Sequence, residues 1–235
     1  MHSTNERPAF VFRHTEISIA AERVWLDGLL SHAPDARGLI VLVDNGAGRL
    51  HDPLRRSLPK AFESARYACM SLDLLTRHEE NRDPDARYNV PQMHHRLVAA
   101  LEWARHQPQL HDLPTAIVAG GTTAAAAIRA AAEQPDRVLS LICLAGRPDL
   151  AGAGPLSRVQ CPTRFIVGAD DPDREHHTLP AFKLLSCLSS WVALSGEAGE
   201  FRSIGAINAV AGPCLEWIEN QLPASIPVPP SDDEA

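Results

Sequence analysis

Apolar and polar positions alternate along this chain with two different periods. Short, nearly continuous apolar runs recur at Gly38 to Val43, Tyr67 to Leu72, Ile117 to Ala119, Val138 to Ala145 and Arg164 to Val167. Runs of this kind, rich in Val, Ile and Leu, predict strands buried on both faces of a sheet. Between them the spacing becomes helical. Leu97, Val98, Leu101 and Ala104 mark one face of a helix over Gln92 to His106,. Pro53 suits a helix start, with a helix reaching about Ala65,. Glu16 to Ala20 alternates as a strand and pairs with Val24 to Leu30 as an opening antiparallel hairpin,. Asp35-Ala36-Arg37 reads as a turn. Trp191 to Leu194 reads as a shorter strand, and Ile204 to Leu222 as a closing helix that Gly212-Pro213 should kink or interrupt,. Arg77 to Asp85 shows no apolar periodicity and is expected to be an exposed loop.

Strand and helix thus alternate several times, which implies an α/β fold: a mostly parallel sheet with helices on both faces. No internal repeat and no second domain is evident. Residues 1–222 read as one domain. Residues 223–235, with four prolines and three acids, read as a flexible tail,. In such sheets, functional loops gather at the carboxyl ends of the strands. Here those are Asp44 to Gly48, Asp73 to Thr76, Gly121 to Thr123, Gly146 to Asp149, Asp170 to Asp173 and Ser195 to Gly199.

Composition narrows the function classes. The chain has 235 residues, 45% hydrophobic, with a formal net charge of -7. That balance argues against a broad nucleic-acid-binding face. Cys69, Cys143, Cys161, Cys187 and Cys214 are odd in number and form no C-x-x-C pair. Most lie in apolar runs, as buried free thiols do, which points to a reducing compartment. The polar stretch Met1 to Pro8 does not resemble a signal peptide. No apolar run approaches the roughly 20 residues of a membrane span. The expectation is a cytoplasmic protein that binds neither membrane nor nucleic acid. Gly168-Ala169-Asp170 lacks the lysine of a phosphate loop, and no cofactor is expected,. His94-His95 and His176-His177 show no recognisable metal-ligand spacing, so no metal site is expected. A homo-oligomer is compatible with everything above.

One stretch carries candidate chemistry. Ile117-Val118-Ala119-Gly120-Gly121-Thr122-Thr123-Ala124 is an apolar strand, a glycine turn and an alanine-rich helix with almost no loop between. That is the shape of the nucleophile elbow G-x-S-x-G, where a serine rides a strained strand-to-helix turn. The frame here reads Gly120-x-Thr122-x-Ala124, with threonine for serine and alanine for the last glycine.

With this elbow, Asp73-Leu74-Leu75-Thr76, Gly146-Arg147-Pro148-Asp149-Leu150 and Val167-Gly168-Ala169-Asp170-Asp171 together resemble the dienelactone-hydrolase-like group of α/β-hydrolases. The resemblance runs from Ile17 to Leu222. It implies the α/β-hydrolase fold, with a central, mostly parallel sheet of about eight strands. It also implies a nucleophile, an acid and a base, in that chain order. Thr122 stands at the nucleophile position and Asp171 at the acid. Gly199 stands where the family carries its histidine, and no histidine follows His177. Asp44 and Asn45 replace the histidine and first glycine of the family's oxyanion loop, with Gly121 and Thr123 completing the pocket. A carboxylate there opposes the charge that an oxyanion site must hold.

Two functions are therefore carried forward. In the first, the triad is broken at Thr122 and Gly199, hydrolysis is lost, and the chain is a small-ligand-binding or interaction protein. In the second, it is an active ester or lactone hydrolase that uses Thr122 with a relocated base such as His177. Threonine nucleophiles need an adjacent base, and a β-branched side chain fits poorly at a strained turn.

Overall fold

The structure is a computed structural model that describes residues 11–44, 57–172, 174–195, 201 and 204–222. The expectations for residues 45–48, for a helix start at Pro53, for Gly199 and for the tail 223–235 lie outside the described residues.

Eight strands form one sheet in the order β1-β2-β4-β3-β5-β6-β7-β8. β1 (Arg13–Ala21) and β2 (Val24–His32) are the expected antiparallel hairpin, in register from Ala21 opposite Val24 to Arg13 opposite His32. β2 is also antiparallel to β4 (Ala68–Asp73). All other neighbours are parallel: β3 (Leu39–Asp44), β5 (Thr115–Gly120), β6 (Ser140–Leu144), β7 (Thr163–Gly168) and β8 (Ser189–Leu194). The apolar runs became strands because helices cover both faces of the sheet. α1 (Ser57–Ser64) and α7 (Ile204–Gln221) cover one face, where Leu58, Phe62, Val210, Cys214, Trp217 and Ile218 meet Ile40, Val118, Ile142 and Ile166. On the other face lie α3 (Val90–Arg105), α4 (Thr123–Glu133), α5 (Ala153–Arg158) and α6 (Leu179–Lys183), around Val41, Ile117, Leu141 and Phe165. No helix among the described residues is long and apolar enough to cross a membrane.

One expectation is corrected. The stretch expected to be a loop from Arg77 contains the helix α2 (Arg77–Arg82), none of whose residues is buried. Thr76 and Glu79 form a reciprocal capping box, with the Glu79 amide donating to Thr76 Oγ1 and the Thr76 amide to Glu79 Oε2. Such a box satisfies two helix-start donors without any apolar stripe. Pro213 lies inside α7, which runs on as one helix from Ile204 to Gln221. A mid-helix proline costs about 3 kcal/mol, but each buried large apolar side chain returns about 1.5–3 kcal/mol. α7 buries Val210, Cys214, Trp217 and Ile218 around that point. Arg164 crosses from β7 to donate to the Pro213 carbonyl at 2.8 Å and lies over the Trp217 ring at 4.6 Å.

Candidate active site at the β5–α4 elbow

β5 delivers the chain to the carboxyl edge of the sheet, and α4 leaves at once. The backbone turns at Gly121, which has the left-handed φ of 57°. Thr122 is already in the right-handed helical region, with φ -76° and ψ -17°. The left-handed residue thus stands one position before Thr122, directly after the last strand residue, Gly120. Thr122 is 3% exposed and its hydroxyl donates to the carbonyl of Arg87, in the single turn Ala86–Tyr88. Its side chain therefore clamps the segment before α3 down onto the elbow. Thr123 points the other way, 2.6 Å from the Gly120 carbonyl and 3.2 Å from that of Val43, tying the elbow to β3.

A second turn supports the first. Ala145 and Gly146, just after β6, have φ of 51° and 86°. A Cβ on Gly146 would lie 2.3 Å from the Gly121 carbonyl oxygen and 2.4 Å from its Cα. Only glycine fits there, since real contacts of that length do not occur. The Arg147 amide donates to the Gly121 carbonyl at 3.1 Å. The Arg147 guanidinium then makes a two-pronged pair with Asp149 at 2.8 Å on each arm. His177 Nδ1 approaches the same carboxylate at 3.6 Å, and the Thr178 hydroxyl donates to the Gly146 carbonyl at 3.4 Å. The loop resembling the family's arginine loop is thus joined to the elbow, and it draws His177 toward the same rim.

Asp171 follows β7, with its amide 3.3 Å from the Gly168 carbonyl. Asp44 ends β3 in register with Asp73, which ends β4 and is 4% exposed. Asn45 and Gly199 lie outside the described residues. The two histidines of α3 diverge as adjacent helical positions must: His94 is buried, with Nε2 2.8 Å from Glu133, and His95 is exposed. Burial pushes the His94 imidazole below its ordinary value, with Glu133 opposing that shift.

The loop after β4 is held by a buried charge that the sequence reading missed. Arg96, on α3 and 1% exposed, donates to the Leu74 carbonyl at 2.8 Å and to both oxygens of Glu79 at 2.8 and 2.5 Å. The Arg96 hydrogen bonds hold the Glu79 carboxyl down to about 2, against a partial desolvation that raises it. The signal was Thr76-x-x-Glu79, a capping box whose acid is free to take a second partner.

No protein-family model matches the chain. Two Mycobacterium tuberculosis strains each carry a relative called a "putative phosphoribosyl transferase". It is 27% identical over 210 residues, which are 89% of this chain and 47% of the relative. The chain therefore spans about half the length of the curated relatives it matches. A dienelactone hydrolase from Anabaena variabilis superposes with a TM-score of 0.83 at 29% identity, covering 90% of this chain and 99% of that one. A dienelactone-hydrolase-like promiscuous phosphotriesterase from metagenomic libraries gives 0.74 at 12% identity, covering 90% and 99%. The chain has the α/β-hydrolase fold. Its structural neighbours are dienelactone-hydrolase-like proteins, as Asp73-Leu74-Leu75-Thr76 and Gly146-Arg147-Pro148-Asp149-Leu150 lead one to expect.

Proposed function

We propose that this chain keeps the body of a dienelactone-hydrolase-like enzyme without its acyl-transfer chemistry, and acts as a small-ligand-binding or interaction protein. The observation that carries this is the left-handed φ of 57° at Gly121. In an elbow the strained residue is the nucleophile. By that criterion the reactive position is Gly121, which has no side chain, rather than Thr122. The buried Thr122 hydroxyl, bonded to the Arg87 carbonyl, supports the same reading. So does glycine at position 199, where the family carries its base. A positioned base alone contributes about 10²- to 10⁴-fold, and loss of both groups leaves no covalent route.

The segment shared with the mycobacterial proteins is 47% of their length and takes a hydrolase-type fold.

The second reading, an active ester or lactone hydrolase with a relocated base, is favoured by one observation: His177 lies 3.6 Å from Asp149. Aryl-ester hydrolysis followed from pH 5 to 9, for the parent, Thr122→Ala and His177→Ala, separates the two readings. The proposal expects three indistinguishable, near-background rates. A sigmoidal pH profile that either variant abolishes would establish the second reading.

A further inference from the structure

Two free thiols lie near each other at the opposite end of the sheet from the elbow. β7 and β8 run parallel with Thr163 opposite Ser189, and the Thr163 amide donates to the Leu188 carbonyl at 2.9 Å. Two residues earlier on each side stand Cys161 and Cys187. Both lie just outside their strands, and a continued period of two would put them on the face that carries Phe165 and Trp191,. The core agrees, since Cys161 belongs to, and Cys187 packs against, the cluster that holds those two rings. The strand residues two positions on, Thr163 and Ser189, are paired neighbours, and adjacent strands lie about 4.8 Å apart, within the Cα separation of roughly 4.4–6.8 Å that a disulfide spans. Both thiols are free in this structure.

Their surroundings differ. Cys161 is 5% exposed and Cys187 is half-buried. Burial pushes the Cys161 thiol up to about 12, with the nearby Cys187 as a second, smaller cause. Cys161 alone is therefore inert. It also lies in the floor of a groove of about 810 Å³ that crosses the amino ends of β5, β6 and β7.

We propose that Cys161 and Cys187 are a peroxide-oxidisable pair whose disulfide staples the edge strand β8 to β7. The order of events follows from exposure. The Cys187 thiolate attacks one oxygen of hydrogen peroxide. The O–O bond breaks, hydroxide leaves and takes a proton to become water, and the sulfur, oxidised by two electrons, becomes a sulfenic acid. The Cys161 sulfur then attacks that sulfur. The S–O bond breaks, and the departing oxygen takes the Cys161 proton and leaves as water. Two thiols and one peroxide thus give one disulfide and two waters.

The test treats the full native chain with hydrogen peroxide and maps its peptides without reduction. The expected product joins the peptides of Cys161 and Cys187 with the loss of two hydrogens. It raises the melting temperature by several degrees, and dithiothreitol reverses both changes. Cys187→Ser, checked for folding by circular dichroism, abolishes the crosslink and leaves Cys161 reduced. Cys161→Ser leaves a dimedone-reactive sulfenic acid at Cys187. The proposal is overturned if Cys187 advances to sulfinic acid while Cys161 stays reduced. Pairing of Cys187 with Cys143 or with a second chain overturns it equally.

Discussion

Replacing Arg96 by methionine should strongly destabilise the fold. Arg96 is 1% exposed and donates to three acceptor atoms, the Leu74 carbonyl and both oxygens of Glu79, with Glu22 a further 3.7 Å from its Nε. Removing one member of a buried ion pair typically costs about 3–5 kcal/mol, because the other is left uncompensated. Glu79→Gln keeps the shape but leaves the buried Arg96 guanidinium without its counter-charge, so its cost should be comparable, about 3–5 kcal/mol. The double variant leaves neither charge of the Arg96–Glu79 pair unpaired; Glu22, the other carboxylate near Arg96, is 42% exposed and open to water. That variant should be more stable than the sum of the two single losses implies, by about 1–3 kcal/mol. The pH dependence gives an independent check. Arg96 holds the Glu79 carboxyl down from 4.5 to about 2. At about 1.4 kcal/mol per pH unit, the full difference is worth about 3 kcal/mol. The Glu79 side chain is 23% exposed, and screening by water trims this to about 2 kcal/mol. A carboxyl with a depressed folded-state value contributes its full stability above pH 4.5. That stability fades as the pH falls toward 2, where Glu79 protonates in the folded chain. Urea unfolding at intervals between pH 2.5 and 7 should show this loss in the parent and a flatter acid limb in Glu79→Gln. Identical acid limbs, or single costs that simply add in the double variant, would refute the reasoning.

Two further outcomes concern the elbow itself. Gly146→Ala should destabilise by more than about 3 kcal/mol, since it adds left-handed strain to a Cβ 2.3 Å from the Gly121 carbonyl oxygen; thermal unfolding reads it. Thr122→Val keeps the shape but removes the donor to the Arg87 carbonyl. It should cost about 1–2 kcal/mol in urea unfolding and leave the rate on aryl esters unchanged.

Much of the fold was legible because burial on both faces of a parallel sheet leaves a plain mark. Gly38 to Val43 and Val138 to Ala145 could hardly be anything but strands, and the structure places β3 and β6 within them. α2 was not legible by periodicity, because Arg77-His78-Glu79-Glu80-Asn81-Arg82 buries nothing and is held by its cap and by Arg96. Arg96 was missed because a guanidinium on an apolar helix face looks like an interruption until its partners are known. The strand, turn and helix were legible, but which of the two glycines takes the left-handed φ was not. Gly120 and Gly121 are adjacent, and either can take a left-handed φ. Matching Gly120 to the first glycine of G-x-S-x-G put Thr122 in the reactive frame, whereas the strained residue is Gly121. The contact between His177 and Asp149 left no sequence signal, because it depends on how the turn Arg174–Thr178 folds over Pro148–Ala151.

The central claim is that the residue at the turn of the elbow offers no nucleophile. Incubation of the native chain with a fluorophosphonate probe, followed by peptide mass spectrometry, tests it most directly, with Gly121→Ser/Gly199→His treated alongside. The account predicts no adduct on the Ala119–Ile128 segment of the parent and a stoichiometric adduct at position 121 of the double variant. A stoichiometric adduct on Thr122 of the parent would contradict it.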